Sequence, residues 1–144
     1  VIGDPTCFED LRDALEGSNI EAAAGENALI EAAERPSDIV IAAIVGAAGL
    51  KPTLAAIRRG ARVGLANKET LVCAGPLMTA EVHKHNATLI PVDSEHSAIF
   101  QVLEEREEDR IDRILLTASG GPFREWPLAD MRSVTRAQAT RALN

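Results

Sequence analysis

The chain has 144 residues, 46% of them apolar, which is enough for the core of one ordinary domain. Its net charge of −7 and 3% aromatic content argue against a general nucleic-acid binder, which needs basic surface and rings on which bases stack. No apolar run reaches the ~18 residues of a membrane span and the acidic start is unlike an export signal, so a cytoplasmic protein with neither membrane nor nucleic acid as partner is expected.

The first 38 residues hold ten carboxylates against only Arg12 and Arg35. Residues 7–15 have Phe8, Leu11 and Leu15 at helical spacing behind the start signal Asp4-Pro5-Thr6, and residues 26–34 form an Ala-rich second helix. Residues 39–68 then hold Lys51, Arg58, Arg59, Arg62 and Lys68 with no acid among them. Such a run fits a solvated face, and it also fits a site for a phosphorylated ligand. Cys7 and Cys73 have neither paired nor metal-ligand spacing and read as reduced thiols.

Residues 38–45 are an unbroken Ile- and Val-rich run, the pattern of a strand buried on both faces in a parallel sheet. Gly46-Ala47-Ala48-Gly49 makes a tight joint, and residues 50–59 make a crossover helix ending at Gly60. Residues 61–66, 69–85 and 87–92 continue as strand, helix and strand. Pro91 suits an edge strand or a strand end. A helix over 94–108, a short strand over 114–117 and a last helix from Arg136 complete the reading. Regular alternation with short Gly-marked joints predicts an α/β fold with a Rossmann-like, doubly wound, mainly parallel sheet. With no initiator Met at Val1 and no stop signal near Asn144, the sequence reads as a piece of a longer protein.

Three strand ends carry polar groups. Asp93 and Glu95 follow the strand over 87–92. If the chain stays extended there, side chains two apart share a side, so the two carboxylates converge while Ser94 faces away. Two hard oxygen ligands suit Mg2+ or Mn2+, whereas the same residues also read as a helix cap and an acid in the first turn. Asn67-Lys68-Glu69 places an amide, a cation and a carboxylate at the start of another helix. Asn67 and Glu69 have an ordinary reading as cap and first-turn acid, but Lys68 opposes the helix dipole there. Ser119-Gly120-Gly121 offers a hydroxyl and close backbone N–H groups, either an anion nest or a plain turn. His96 stands where it can orient a carboxylate, and His83 and His85 read as surface residues at a helix C-terminus. The G-x-G-x-x-G and G-x-x-x-x-G-K-[ST] loops do not occur.

Four ordered motifs give a resemblance to a known family. Ala42-Ala43-Ile44-Val45-Gly46-Ala47-Ala48-Gly49-Leu50, Ala66-Asn67-Lys68-Glu69, Pro91-Val92-Asp93-Ser94-Glu95-His96 and Ser119-Gly120-Gly121-Pro122-Phe123-Arg124 closely resemble those of 1-deoxy-D-xylulose 5-phosphate reductoisomerases. The resemblance implies an NADP-dependent oxidoreductase and isomerase. Such an enzyme converts 1-deoxy-D-xylulose 5-phosphate to 2-C-methyl-D-erythritol 4-phosphate with NADPH, in non-mevalonate isoprenoid biosynthesis. It implies Asp93 and Glu95 as ligands of Mg2+ or Mn2+, Lys68, Ser94, Glu95 and Ser119 on the phosphorylated sugar, and Asn67 and Glu69 near the nicotinamide of NADPH. Lys68 and Glu95 would be the catalytic residues.

The same resemblance implies that residues 1–92 are the later part of the NADPH-binding domain and 93–144 the opening of a catalytic and dimerisation domain. The full-length parent would be a homodimer, and the fragment alone would be inactive. Another nucleotide-dependent dehydrogenase, without metal dependence, is the nearest rival reading. A non-catalytic dimerisation module, with Lys68, Asp93 and Glu95 as solvated surface, is the more distant one.

Overall fold

The computed structural model describes residues 1–103, 111–115 and 120–140. The chain divides into two compact units, Val1–Phe100 and Gln101–Asn144. The first unit opens with a 3-10 turn, Pro5–Cys7, capped by Asp4 Oδ1, which accepts the Thr6 N–H at 2.9 Å. Helices α1 (Phe8–Ala14) and α2 (Glu26–Glu34) follow. Three parallel strands, β1 (Ile39–Ala42), β2 (Arg62–Leu65) and β3 (Thr88–Pro91), lie in the order β1-β2-β3. Helix α3 (Leu50–Arg58) connects the first pair, α4 (Glu69–Lys84) the second, and α5 (Ser94–Val102) follows β3. The α/β alternation and the edge position of Pro91 are as the sequence predicts.

The core lies between this sheet and its crossover helices. Ile57 of α3, Val63 of β2 and Met78 of α4 are fully buried, and Val40, Leu50, Leu71 and Leu89 pack around them. Each such side chain contributes roughly 1.5–3 kcal/mol relative to exposure. Both crossover helices end in the same way. Gly60 (φ 76°) follows α3, with Gly60 N–H donating to Ile57 O and Ala61 N–H to Ala56 O. Asn86 (φ 52°) follows α4, with Asn86 N–H donating to His83 O and Ala87 N–H to Val82 O. This double-bond pattern with a left-handed residue closes a helix and sends the chain directly into β2 or β3.

Several expectations need correction. β1 is four residues, not eight, because Ala66 N–H and Asn67 N–H both donate to Ala42 O and end its pairing there. Nor is β1 buried on both faces: Val40 and Ala42 face the core, whereas Ile41 is 62% exposed. Helix α4 is broken at Ala74 (φ −141°, ψ 27°), just before Gly75-Pro76, since proline cannot supply the N–H that a continuous helix needs. The basic run of residues 39–68 is largely paired. Lys51 meets Glu26, Arg58 meets Glu81, and Arg59 donates to Ala33 O at the end of α2 and to Ser37. Lys51 and Arg59 thus tie the acidic first part to α3, and Arg58 ties α3 to α4, leaving Lys68 as the cation just past the carboxyl end of β2.

In the second unit, Phe123 and Trp126 meet edge to face at 5.2 Å, and Thr135 and Gln138 form a reciprocal capping box at the start of α6 (Arg136–Ala139). Ile114 and Leu115 carry no strand assignment and are exposed, so the described half of the strand expected over 114–117 does not form. Its other half, and the end of the helix expected over 94–108, lie outside the described residues.

Candidate functional site

Parallel register sets Ala42, Leu65 and Pro91 side by side at the carboxyl ends of β1, β2 and β3. The loops that follow therefore start along one edge of the sheet, where open α/β sheets bind ligands. The middle loop, after β2, reaches both of its neighbours through consecutive side chains.

Towards β1, Asn67 is 3% exposed and its amide is fully engaged. Nδ2 donates to Ile44 O and to Gly46 O (2.9 Å), and Oδ1 accepts the Thr70 N–H of α4 at 3.1 Å. The joint it holds is a 3-10 turn, Gly46–Gly49, entered through Gly46 at φ 68°. Asn67 is thus buried against backbone, as the capping reading expects, with its amide nitrogen donating to two backbone carbonyls. Nearby, Thr70 Oγ1 is buried with no hydrogen-bond partner among the described residues.

Towards β3, Lys68 Nζ lies 3.6 Å from Asp93 Oδ2. Lys68 is 58% exposed whereas Asp93 is only 14% exposed, so the pair presents a reachable ammonium over a sheltered carboxylate. His96 Nδ1 lies 3.1 Å from the other carboxylate oxygen. Burial by itself pushes the Asp93 pKa up. The charge of Lys68, the His96 backbone N–H and the charge of His96 outweigh it, so Asp93 is held below the ordinary carboxylate range.

The extended run expected to carry Asp93 and Glu95 on one side does not form. The strand stops at Pro91 and α5 begins at Ser94, so Asp93 sits at the helix entrance and Glu95 within the first turn. Asp93 accepts the backbone N–H of His96, three residues on, which is the geometry of an N-cap. The cap and a metal-ligand role draw on the same carboxylate without conflict, because it has two oxygens and four lone-pair positions.

The donor set fits a hard divalent cation that keeps several waters, since two neighbouring carboxylates supply oxygen ligands beside an ionised partner. Among the described residues no group of three His, Cys, Asp or Glu gathers at one point, so the pair is a partial set. Ser94 and Glu69 each stand in the first turn of their helices and are exposed. Ser119 lies outside the described residues. Beside it Gly121 adopts φ 120°, and Arg124 N–H donates to Gly121 O at 3.3 Å.

Sequence reasoning missed one cluster. Glu81, buried on α4, takes Arg58 of α3 at 2.7 Å, Lys84 at 3.4 Å and His85 at 3.5 Å. The i, i+3 and i, i+4 spacing of Lys84 and His85 was a visible signal, but the long-range partner Arg58 was not. His85, read as a plain surface residue, is half-buried in that cluster.

Comparison with known proteins covers nearly the whole chain. Residues 1–75 match the family model described as 1-deoxy-D-xylulose 5-phosphate reductoisomerase, and residues 89–143 match that of its C-terminal domain. The 1-deoxy-D-xylulose 5-phosphate reductoisomerase of Rhodospirillum centenum is 60% identical over 139 residues, covering 96% of this chain and 35% of that protein. That of Zymomonas mobilis is 56% identical over 144 residues, 100% of this chain and 37% of the relative. The solved structure of the Zymomonas mobilis enzyme in complex with NADPH superposes with a TM-score of 0.79 at 56% identity, over 93% of this chain and 36% of that one. A structure of DOX-P reductoisomerase with NADPH, fosmidomycin and magnesium gives 0.74 at 37% identity, over 97% and 38%. The chain therefore spans about a third of the length of the relatives it matches.

Proposed function

The chain belongs to the 1-deoxy-D-xylulose 5-phosphate reductoisomerase family, and from this we propose that it is the part of such an enzyme where cofactor cleft and metal site meet. The parent converts 1-deoxy-D-xylulose 5-phosphate to 2-C-methyl-D-erythritol 4-phosphate in the bacterial cytosol, as a homodimer. Residues 1–92 belong to its NADPH-binding domain and 93–144 open the catalytic domain, a division supported by the separate matches of 1–75 and 89–143. The observation that carries the reading is the Asn67-Lys68-Glu69 loop, which holds the β1 joint with one side chain and pairs with Asp93 through the next.

In this reading Asp93 and Glu95 hold Mg2+ or Mn2+. Glu69, with the strand Ile39–Ala42 and its joint, lines the nicotinamide end of the cofactor cleft. Lys68 and Ser94 hold the phosphorylated sugar, and Ser119 takes part in substrate binding on the strength of the family motif. When bound, NADPH supplies the hydride and the divalent cation stabilises developing oxyanion charge. The protein's own contribution is placement. Lys68, exposed on a three-residue run shared with Asn67 and Glu69, fixes a substrate oxygen or phosphate as a point charge. The Lys68–Asp93 contact ties that charge to the metal-binding carboxylate, so substrate and cation are oriented by one rigid loop pair. His96 on Asp93 Oδ1 holds the carboxylate in one rotation.

The test is NADPH oxidation by a full-length protein carrying these residues, with 1-deoxy-D-xylulose 5-phosphate and Mn2+. Oxidation abolished by a chelator and restored by Mn2+ is expected. Turnover indifferent to chelator would remove the metal role of Asp93 and Glu95 and favour a metal-free dehydrogenase.

A further inference from the structure

We propose that Pro76 is a positioning residue for the reaction: by breaking α4 at Ala74 it sets the direction of the helix's first turn and so holds Lys68 against Asp93. The proposal rests on the reading above, in which Lys68 binds substrate beside a metal-binding carboxylate.

Helix α4 is pinned at two places by different parts of the fold. At its start, Ala66 N–H and Asn67 N–H both donate to Ala42 O, so the chain enters the helix from a fixed point, and Thr70 in the first turn is buried. Further along, Met78 is fully buried and Glu81 takes Arg58 of α3 at 2.7 Å. Thr70, Ala74, Met78 and Glu81 succeed one another at helical spacing and make up one inner face. That pattern suits an unbroken helix.

The break comes from the other side. Pro76 is exposed, it has no N–H to donate to Val72 O, and its ring crowds that carbonyl. The departure falls at Ala74 (φ −141°, ψ 27°), and beyond it Thr79 Oγ1 donates to Gly75 O at 3.0 Å and to Pro76 O at 3.2 Å. A Cβ at Gly75 would meet nothing within 4 Å, so packing at that point does not oppose a continuous helix.

The length of the first segment sets the consequence. From Pro76 back to Lys68 is about 12 Å of helix at about 1.5 Å per residue. A change of direction of about 20° over that length moves the far end by about 4 Å. Lys68 Nζ stands 3.6 Å from Asp93 Oδ2, so a continuous helix anchored at Met78 and Glu81 would carry the ammonium out of that contact. Misplacement of a reacting group by even about 1 Å can cost about a hundredfold in rate.

The experiment uses the full-length protein carrying these residues, as wild type, Pro76→Ala and Pro76→Glu, each also combined with Lys68→Ala. Two quantities are read: backbone hydrogen exchange across residues 72–80, and kcat with 1-deoxy-D-xylulose 5-phosphate and Mn2+. The amide gained at position 76 is protected only where it reaches Val72 O, so it reports closure of the break. Both variants are expected to show that protection, an undiminished thermal midpoint, and a kcat lowered about tenfold or more. In the Lys68→Ala background the same substitutions should change kcat by less than about twofold, because the group being positioned is gone. Pro76→Glu places a good helix former at an exposed site and carries the test if the alanine variant folds poorly.

A protected amide with unchanged kcat would show that the break does not place Lys68. An unprotected amide would show that the surrounding fold, and not the proline, makes the break. An equal fall in kcat without Lys68 would show an effect that bypasses it. Each of these results overturns the proposal. Wild-type protein without chelator-sensitive NADPH oxidation would overturn the functional reading and the positioning role with it, and exchange at position 76 would show separately whether the proline makes the break.

Discussion

Lys68 Nζ stands 3.6 Å from Asp93 Oδ2, an ion pair between the loops that follow two neighbouring parallel strands. The two residues are far apart in sequence and come from separate loops, so the contact exists because β2 and β3 lie in register. In the proposed function it sets a substrate-binding cation beside a metal-binding carboxylate, and the first prediction follows from it.

Lys68→Ala should lower kcat by about a hundredfold or more, the usual cost of removing one preorganised charge from a reacting site. Asp93→Asn should instead weaken Mn2+ binding at least tenfold, read as the Mn2+ concentration for half-maximal rate. Equal loss of Mn2+ affinity in both variants would show that Lys68 acts through the carboxylate and not on substrate.

Glu81 provides a pH dependence away from the site. The hydrogen bond from Arg58 holds its carboxyl below the ordinary value near 4.5, against burial and with help from Lys84. A carboxyl depressed in the folded state adds stability above its unfolded pKa and loses it as pH falls through the folded value. The thermal midpoint of Glu81→Gln should therefore lie below wild type at pH 7, and the gap should close progressively below about pH 4.5.

Gly60 and Asn86 occupy equivalent places at the ends of α3 and α4, both with positive φ, but they differ in tolerance. A Cβ at Gly60 would stand 3.0 Å from His85 O. Gly60→Ala should cost about 1–2 kcal/mol in chemical denaturation, from strain in the left-handed region plus this contact. Asn86→Gly should be nearly neutral, since asparagine already tolerates that conformation.

Thr70→Val removes the hydroxyl that is buried without a partner among the described residues and keeps the side-chain shape. Stability should be unchanged or rise by up to about 1 kcal/mol in the same measurement. A loss of 1 kcal/mol or more would reveal that the hydroxyl has a bonded partner, such as an internal water.

Much of this was legible in the sequence because it is local. The Ile-Val run at β1, the Gly-marked joint, the apolar spacing of Leu54 and Ile57 and the proline at the end of β3 each follow from short-range preference. The polar residues at strand ends were also legible as candidates, since a buried strand that hands over to Asn-Lys-Glu or Asp-Ser-Glu leaves few other places for charge. The break at Ala74 was not called, although Gly75-Pro76 advertised it, because the apolar pattern continues through it. Asp93 and Glu95 were expected to share one side of an extended run, whereas the strand ends at Pro91 and a helix begins at Ser94.

By itself the sequence determined which elements form and which side chains stand at their ends, because hydrophobic period, turn residues and capping act over a few positions. Only the tertiary structure decided which of those ends meet. The strand register brings the β2 loop between its two neighbours, so Asn67 is spent on the backbone of the β1 joint and Lys68 is left to face Asp93. Two adjacent polar residues with nearly the same surroundings in sequence thereby take opposite roles, one buried as a clamp and one exposed as a charge.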